Sequence, residues 1–307
     1  MKIDIVGAGY VGLTLSVTLA KFNHNVTCWD IDESKINQYK EYKTDIREPH
    51  IDDMLRKYQN SGYLNFQIYN SQKVINTDLV IITIGTALKG ESSKESHSNL
   101  FKLVGDLVNQ GIKNIMLRST VEIGTCSKLD NLFGENCNFI FAPERTIEGK
   151  AIEELLSLPQ IAACKNEESR FLVRNCFEPL GIEIMFSEIW EEAELAKLIC
   201  NVYRDYNFSF SNLLLTIAQE FGLDTASIIN LVSSKYERMP LLKTGPVSGP
   251  CLSKDYIILS NSITNKTVKS VLNSTRRINS EIINSAENDI EIIIQKFNFP
   301  QILFIGL

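Results

Sequence analysis

Short apolar runs alternate with amphipathic stretches through the first half of the chain. Residues 3–6, 26–29, 79–82, 115–117 and 139–141 have the length and near-continuous apolar character of strands buried on both faces. Between them, residues 11–22, 34–43 and 100–109 repeat apolar positions at helical spacing. This alternation predicts right-handed βαβ units around a parallel sheet. Strand-like runs at 160–163 and 182–185 extend the domain to residue 186.

The pattern then changes. Residues 188–221 contain no Pro or Gly, and Ala193, Ala196, Leu198, Ile199 and Tyr203 recur at helical spacing. One helix of about 30 residues is expected, long enough to connect domains. Residues 224–234 read as another helix opened by Asp224 as N-cap. Pro240, Gly245, Pro246, Gly249 and Pro250 make 239–255 an expected loop, and 269–297 is again helical. Residues 301–307 form a last strand-like run.

Composition narrows the function. The 307 residues carry a net charge of −6, which argues against a nucleic-acid groove or a polybasic membrane patch. Asp4 interrupts any N-terminal signal segment, and the longest apolar stretch, 79–88, is too short to span a bilayer. Seven scattered cysteines without a CxxC pair are expected to be reduced thiols of a cytoplasmic protein. The three histidines form no HExxH or Cys/His cluster, so neither a zinc enzyme nor a serine–histidine hydrolase is expected.

Gly7-Ala8-Gly9-Tyr10-Val11-Gly12 lies directly between the first strand and the first helix. Gly7 allows the tight turn, Gly9 lets the backbone approach a diphosphate, and Gly12 lets helix and strand pack closely. Asp30, at the end of the second strand, is placed to take the adenosine ribose hydroxyls and to repel a 2′-phosphate, so NAD is the expected cofactor. The expected fold class is therefore α/β: a Rossmann-like parallel-sheet domain over 1–186, followed by an all-α domain over 187–298 with a long connecting helix.

Three further clusters can carry chemistry. Cys251 sits among glycines and prolines with Lys254 nearby to favour a thiolate, although a loop cysteine can also be inert. Lys197, Asn201 and Arg204 share one face of the long helix, as would a solvated polar stripe. Residues 142–150 follow the carboxyl end of a strand, where open α/β sheets place ligands; Glu144 and Glu148 could equally cap the next helix.

Together these stretches resemble the UDP-glucose/GDP-mannose dehydrogenase family. The matching segments are 7–13, Glu48-Pro49 with Met54-Leu55, Ser119-Thr120-Val121, 143–150, 197–212 and 245–255, in family order. The resemblance implies an NAD-dependent oxidation of a UDP-sugar C6 alcohol to the uronate by two hydride transfers, for polysaccharide precursors. It implies that Cys251 holds the intermediate as a thiohemiacetal and then a thioester. Glu144 would position or activate the hydrolytic water with help from Thr120 and Asp255, and Lys197 and Asn201 would stabilise the oxyanion. Tyr10, Val11, Thr86 and Thr120 would join Gly7, Gly9, Gly12 and Asp30 around NAD. Glu148, Arg238 and Lys254 would contact the sugar nucleotide, Arg238 from a second subunit, with the long helix as the core of a homodimer. Pro143-Glu144-Arg145 is similar to the members that act on UDP-N-acetylated sugars such as UDP-N-acetylmannosamine.

The chain departs from the family pattern at Thr86-Ala87, where relatives have Thr-Pro, at Glu122-Ile123, where they have prolines, and at Pro250. Relatives also continue past a strand like 302–307 into a domain that closes over the nucleotide. Residues 299–307 are thus expected to be the first strand of a missing C-terminal domain. The chain alone is then expected to bind NAD and dimerise while being nearly inactive on nucleotide sugars. Two other readings stay open: a single-step β-hydroxyacid-type dehydrogenase, which needs the helix lysine but no nucleophilic cysteine, and an NAD-binding dimer without activity.

Overall fold

A computed structural model describes residues 1–70, 77–86, 91–247 and 249–303, without the side chains of residues 91–97, 250 and 289. Ala87 and residues 304–307 lie outside the described residues, and 301–303 have no regular secondary structure. The chain divides into two compact units, 1–198 and 199–307, so the division falls inside the long helix.

The first unit is built on eight strands: β1 (Lys2–Val6), β2 (Asn25–Asp30), β3 (Leu64–Ile68), β4 (Leu79–Ile82), β5 (Asn114–Leu117), β6 (Asn138–Phe141), β7 (Gln160–Ala163) and β8 (Ile184–Ser187). Their order is β3-β2-β1-β4-β5-β6-β7-β8. The sheet is not wholly parallel as the sequence suggested, because β7 joins β6 antiparallel through the single pair Phe141↔Ala163.

Helices cover both faces. On one side α1 (Tyr10–Lys21), α2 (Glu33–Lys40), α3 (Ile51–Asn60) and α7 (Glu167–Phe177) pack on Ile5, Cys28, Ile81 and Ile140. On the other, α4 (Glu91–Asn109), α5 (Thr125–Phe133) and the start of α8 (Trp190–Glu220) pack on Val6, Val80, Ile82 and Phe141. A short helix, α6 (Ala151–Leu155), precedes β7. The period-2 alternation of side chains sends neighbouring residues to opposite cores, which is why a four-residue strand such as β4 must be apolar throughout.

The second unit holds most of α8, then α9 (Thr225–Ser233), α10 (Pro250–Ser262) and α11 (Lys266–Ile294). Its interior includes a polar seam. Asp205 accepts from Arg276 at 2.6 Å and from Asn279 at 2.9 Å, and Asn279 accepts from Asn212 at 2.9 Å. Asn212 also exchanges two hydrogen bonds with the backbone of Gly245, at 2.9 and 3.0 Å. Each of the buried members, Asp205, Asn212 and Asn279, would cost about 1–3 kcal/mol if left unpaired, so the seam ties Gly245 to α8.

Candidate active site

The order of strands puts a switch point between β1 and β4, and the glycine loop leaves β1 there. Gly7 has φ +111°, and a Cβ on it would lie 2.9 Å from the backbone of Thr83 and Ile84. A Cβ on Gly12 would lie 1.8 Å from the Gly7 carbonyl oxygen, whereas one on Gly9 would meet nothing within 4 Å. The loop is thus clamped against β4 on one side and open at Gly9, where the first amides of α1 are available to an anion. Asp30 closes the cradle: its carboxylate accepts the amides of Ala8 at 2.7 Å and Asp32 at 3.0 Å, leaving acceptor capacity for ribose hydroxyls. These residues fit a dinucleotide. Gly12→Ala is expected to abolish NAD binding in calorimetry and to lower stability by about 3 kcal/mol, because a backbone carbonyl cannot move aside. Wild-type affinity in that variant would refute the placement.

Other site residues of the first unit gather at the ends of β4, β5 and β6. Thr86 donates to the Thr120 carbonyl at 2.5 Å, and Ser119 to the Ile84 carbonyl at 2.7 Å. Glu144, just beyond β6, is buried with both oxygens engaged. One meets the guanidinium of Arg118, and the other accepts the amides of Arg145 at 2.7 Å and Thr146 at 2.9 Å. Burial alone would raise its pKa, but the Arg118 charge and these hydrogen bonds outweigh burial and hold it below the usual value. Arg118 is itself fully buried, donates to Gln160 at 2.9 Å, and lies over the Phe177 ring. Arg145 turns its guanidinium to the Pro159 carbonyl. Glu148 is exposed on the turn before α6, so neither glutamate caps that helix with its side chain.

Lys197 is 7% exposed, which removes the solvated-stripe reading for this residue. One turn earlier on α8, Glu194 is 1% exposed and accepts the amides of Gly124 at 2.5 Å and Cys126 at 2.8 Å. It caps α5 from another element and ties the start of α8 to the connection that carries Thr120.

In the second unit, the expected loop around Cys251 is corrected. Residues 250–255 are helical, and Cys251 stands exposed in the first turn of α10 with Gly249 as N-cap. Proline at the first helical position starts a helix as readily as it ends one. Lys254 and Asp255 therefore lie about one turn further along α10. Asp255 is buried and accepts from Asn201 at 2.6 Å. Arg238 is exposed, with its guanidinium 4.9 Å from the Tyr236 ring centroid. The sequence reading missed Arg118, Glu194 and the Tyr10–Glu48 hydrogen bond. Among the described residues no group of His, Cys, Asp and Glu could hold a metal ion.

Known proteins are similar to this chain in sequence and fold. A UDP-glucose 6-dehydrogenase of Rickettsia bellii is 29% identical over 294 residues, covering 92% of this chain and 67% of its own length. A UDP-N-acetyl-D-mannosamine dehydrogenase of Methanococcus maripaludis is 26% identical over 258 residues, covering 83% of this chain and 60% of its own. The solved structure of a UDP-D-ManNAc dehydrogenase from Pyrococcus horikoshii has the same fold, with a TM-score of 0.86 at 23% identity, covering 96% of this chain and 72% of that one. Residues 1–181 match the NAD binding domain of the UDP-glucose/GDP-mannose dehydrogenase family, and residues 191–281 match its central domain. An NAD-binding Rossmann-like unit followed by this central domain makes the chain a member of the UDP-glucose/GDP-mannose dehydrogenase family.

Proposed function

We propose that the chain belongs to an NAD-dependent nucleotide-sugar 6-dehydrogenase that converts a UDP-sugar C6 alcohol to the uronate in two oxidations. The observation that carries this reading is Cys251, an exposed thiol in the first turn of α10, in a chain that also has the glycine loop and Asp30. A single-step dehydrogenase has no use for such a thiol. When bound, NAD supplies the hydride acceptor for each oxidation.

The residues would act as follows. Cys251 adds as thiolate to the aldehyde carbon, forming a C–S bond while the carbonyl oxygen takes up a proton. The second oxidation turns this thiohemiacetal into a thioester, and attack by water releases the carboxylate and the thiolate. Lys197 and Asn201 offer N–H donors to the oxyanion of the addition and hydrolysis steps. Glu144 has both oxygens engaged and stays ionised, so its role is to orient the water by charge, with Thr120 and Asp255. Glu148, Arg238 and Lys254 are the sugar-nucleotide contacts of the proposal. Seven thiols without a disulfide suit the reducing conditions of the cytoplasm.

The test is stoichiometry. With a panel of UDP- and GDP-sugars, run on this chain and on a version carrying further C-terminal residues, the expected result is turnover of a UDP-sugar by the longer version with two NADH formed per sugar. One NADH per substrate, or turnover of small hydroxyacids only, would favour the single-step reading. The UDP-glucose and UDP-N-acetylmannosamine arms distinguish the substrates named for its relatives.

A homodimer through α8 is part of the proposal. Ile199, Tyr203, Tyr206, Phe210, Leu213 and Ile217 are exposed at alternating spacings of four and three, the pattern of a helix seam made for another helix. Such a stripe exceeds what a solvated helix needs. Sedimentation equilibrium is expected to give twice the chain mass, and a monomer at micromolar concentration would refute the seam.

A further inference from the structure

Half-buried Tyr10, an expected NAD neighbour, and buried Glu48 form a relay in the first unit that the chemical steps above do not use. Tyr10 opens α1 and donates its hydroxyl to the carboxylate of Glu48, which lies between α2 and α3 and is 7% exposed. The same hydroxyl oxygen accepts the amide of Gly149 at 2.7 Å. The second oxygen of Glu48 accepts the amide of Ile152, in the first turn of α6, at 3.0 Å. Three segments distant in sequence therefore meet on two side chains: the glycine loop, the connection before α3, and residues 149–152.

The direction of these bonds is set by chemistry. Burial, reinforced by the negative charge of Glu48, pushes the Tyr10 phenol above its ordinary value, so it stays a donor. An ionised Glu48 can only accept. Shape alone does not require this arrangement, since phenylalanine would fill the space of the Tyr10 ring. What the hydroxyl adds is a bond to an amide beside Glu148. A dinucleotide on the first turn of α1 would fix the Tyr10 backbone, and the relay carries that constraint to Gly149 and Ile152.

We propose that Tyr10 and Glu48 are positioning residues that couple occupation of the glycine loop to the order of the segment carrying Glu148, so that cofactor binding prepares the sugar-contacting turn. The assignment of Glu148 to the sugar rests on the dehydrogenase reading; the coupling itself does not. A binding site that gains order from a first ligand takes the second one more tightly, typically by about tenfold.

The experiment is amide hydrogen exchange on the intact chain, with and without NAD, in the wild type and in Glu48→Ala and Glu48→Gln. In the wild type NAD is expected to slow exchange in the glycine loop and, by about tenfold, at Gly149 and Ile152. Glu48→Ala is expected to keep the glycine-loop protection and lose the remote protection, and Glu48→Gln, which keeps an acceptor oxygen, to restore part of it. Remote amides that ignore NAD in the wild type, or that respond equally in Glu48→Ala, would overturn the coupling. Loss of protection in the glycine loop itself would instead overturn the cofactor site, and the coupling with it. A negative sugar panel beside intact NAD-dependent protection would refute the dehydrogenase reading alone.

Discussion

Cys251→Ala is expected to lower uronate formation at least about a thousandfold, the scale seen when a catalytic nucleophile is removed, while NAD binding is unchanged. The thiol lies exposed in the first turn of α10. Alanine keeps the helix and its packing but, on the proposed mechanism, leaves no group to hold the aldehyde between oxidations. The NAD cradle is built from residues 7–30 of the other unit and has no reason to change. Steady-state rates on the substrate that the sugar panel identifies, beside calorimetry with NAD, give both numbers. Full turnover by the variant would end the covalent mechanism and restore the single-step reading.

Arg118→Met is expected to destabilise the first unit by about 3–5 kcal/mol, the usual penalty for stranding one member of a buried ion pair. Glu144 would keep two backbone amides but lose its counter-charge, and Gln160 would lose a donor. The pH dependence gives the sharper test. In the wild type Glu144 has a lowered pKa, so its contribution is present above the ordinary carboxylate range and is lost as pH falls through the lowered value. In the variant, burial is left to raise the carboxyl, which then favours folding when protonated and opposes it as pH rises. The gap in stability between the two proteins should therefore widen from about pH 4 to pH 7. Urea unfolding at several pH values measures it, and a gap independent of pH would show that the loss is one of packing only.

Much of the first unit could be read from the chain because strands buried on both faces must be apolar without interruption, as at 79–82 and 115–117. β3 escaped notice because Asn65 and Gln67 interrupt its apolar residues at the sheet edge. The antiparallel turn of β7 leaves no mark in composition, since its residues are as apolar as those of a parallel strand. Around Cys251 the prolines and glycines suggested a loop, but Pro250 marks a helix start. Glycine loop and acidic residue were legible because their spacing is local. Arg118 with Glu144, and Glu194 with Gly124, were not, because each pair spans tens of residues and only the folded sheet brings its members together.

The unequal burial of the thiols gives the molecule a built-in chemical handle. Burial pushes Cys28 and Cys176 up to about 12 and Cys137 and Cys164 to about 11, and holds Cys126 well above its ordinary value. Cys200 is half-buried, and Cys251 alone of the seven is exposed. A mild alkylating reagent at neutral pH should therefore react first at one position per chain, and the reagent consumed in that first phase counts accessible Cys251 thiols in a preparation. The same selectivity offers a point of attachment for a fluorophore or a covalent inhibitor without engineering away the other six cysteines.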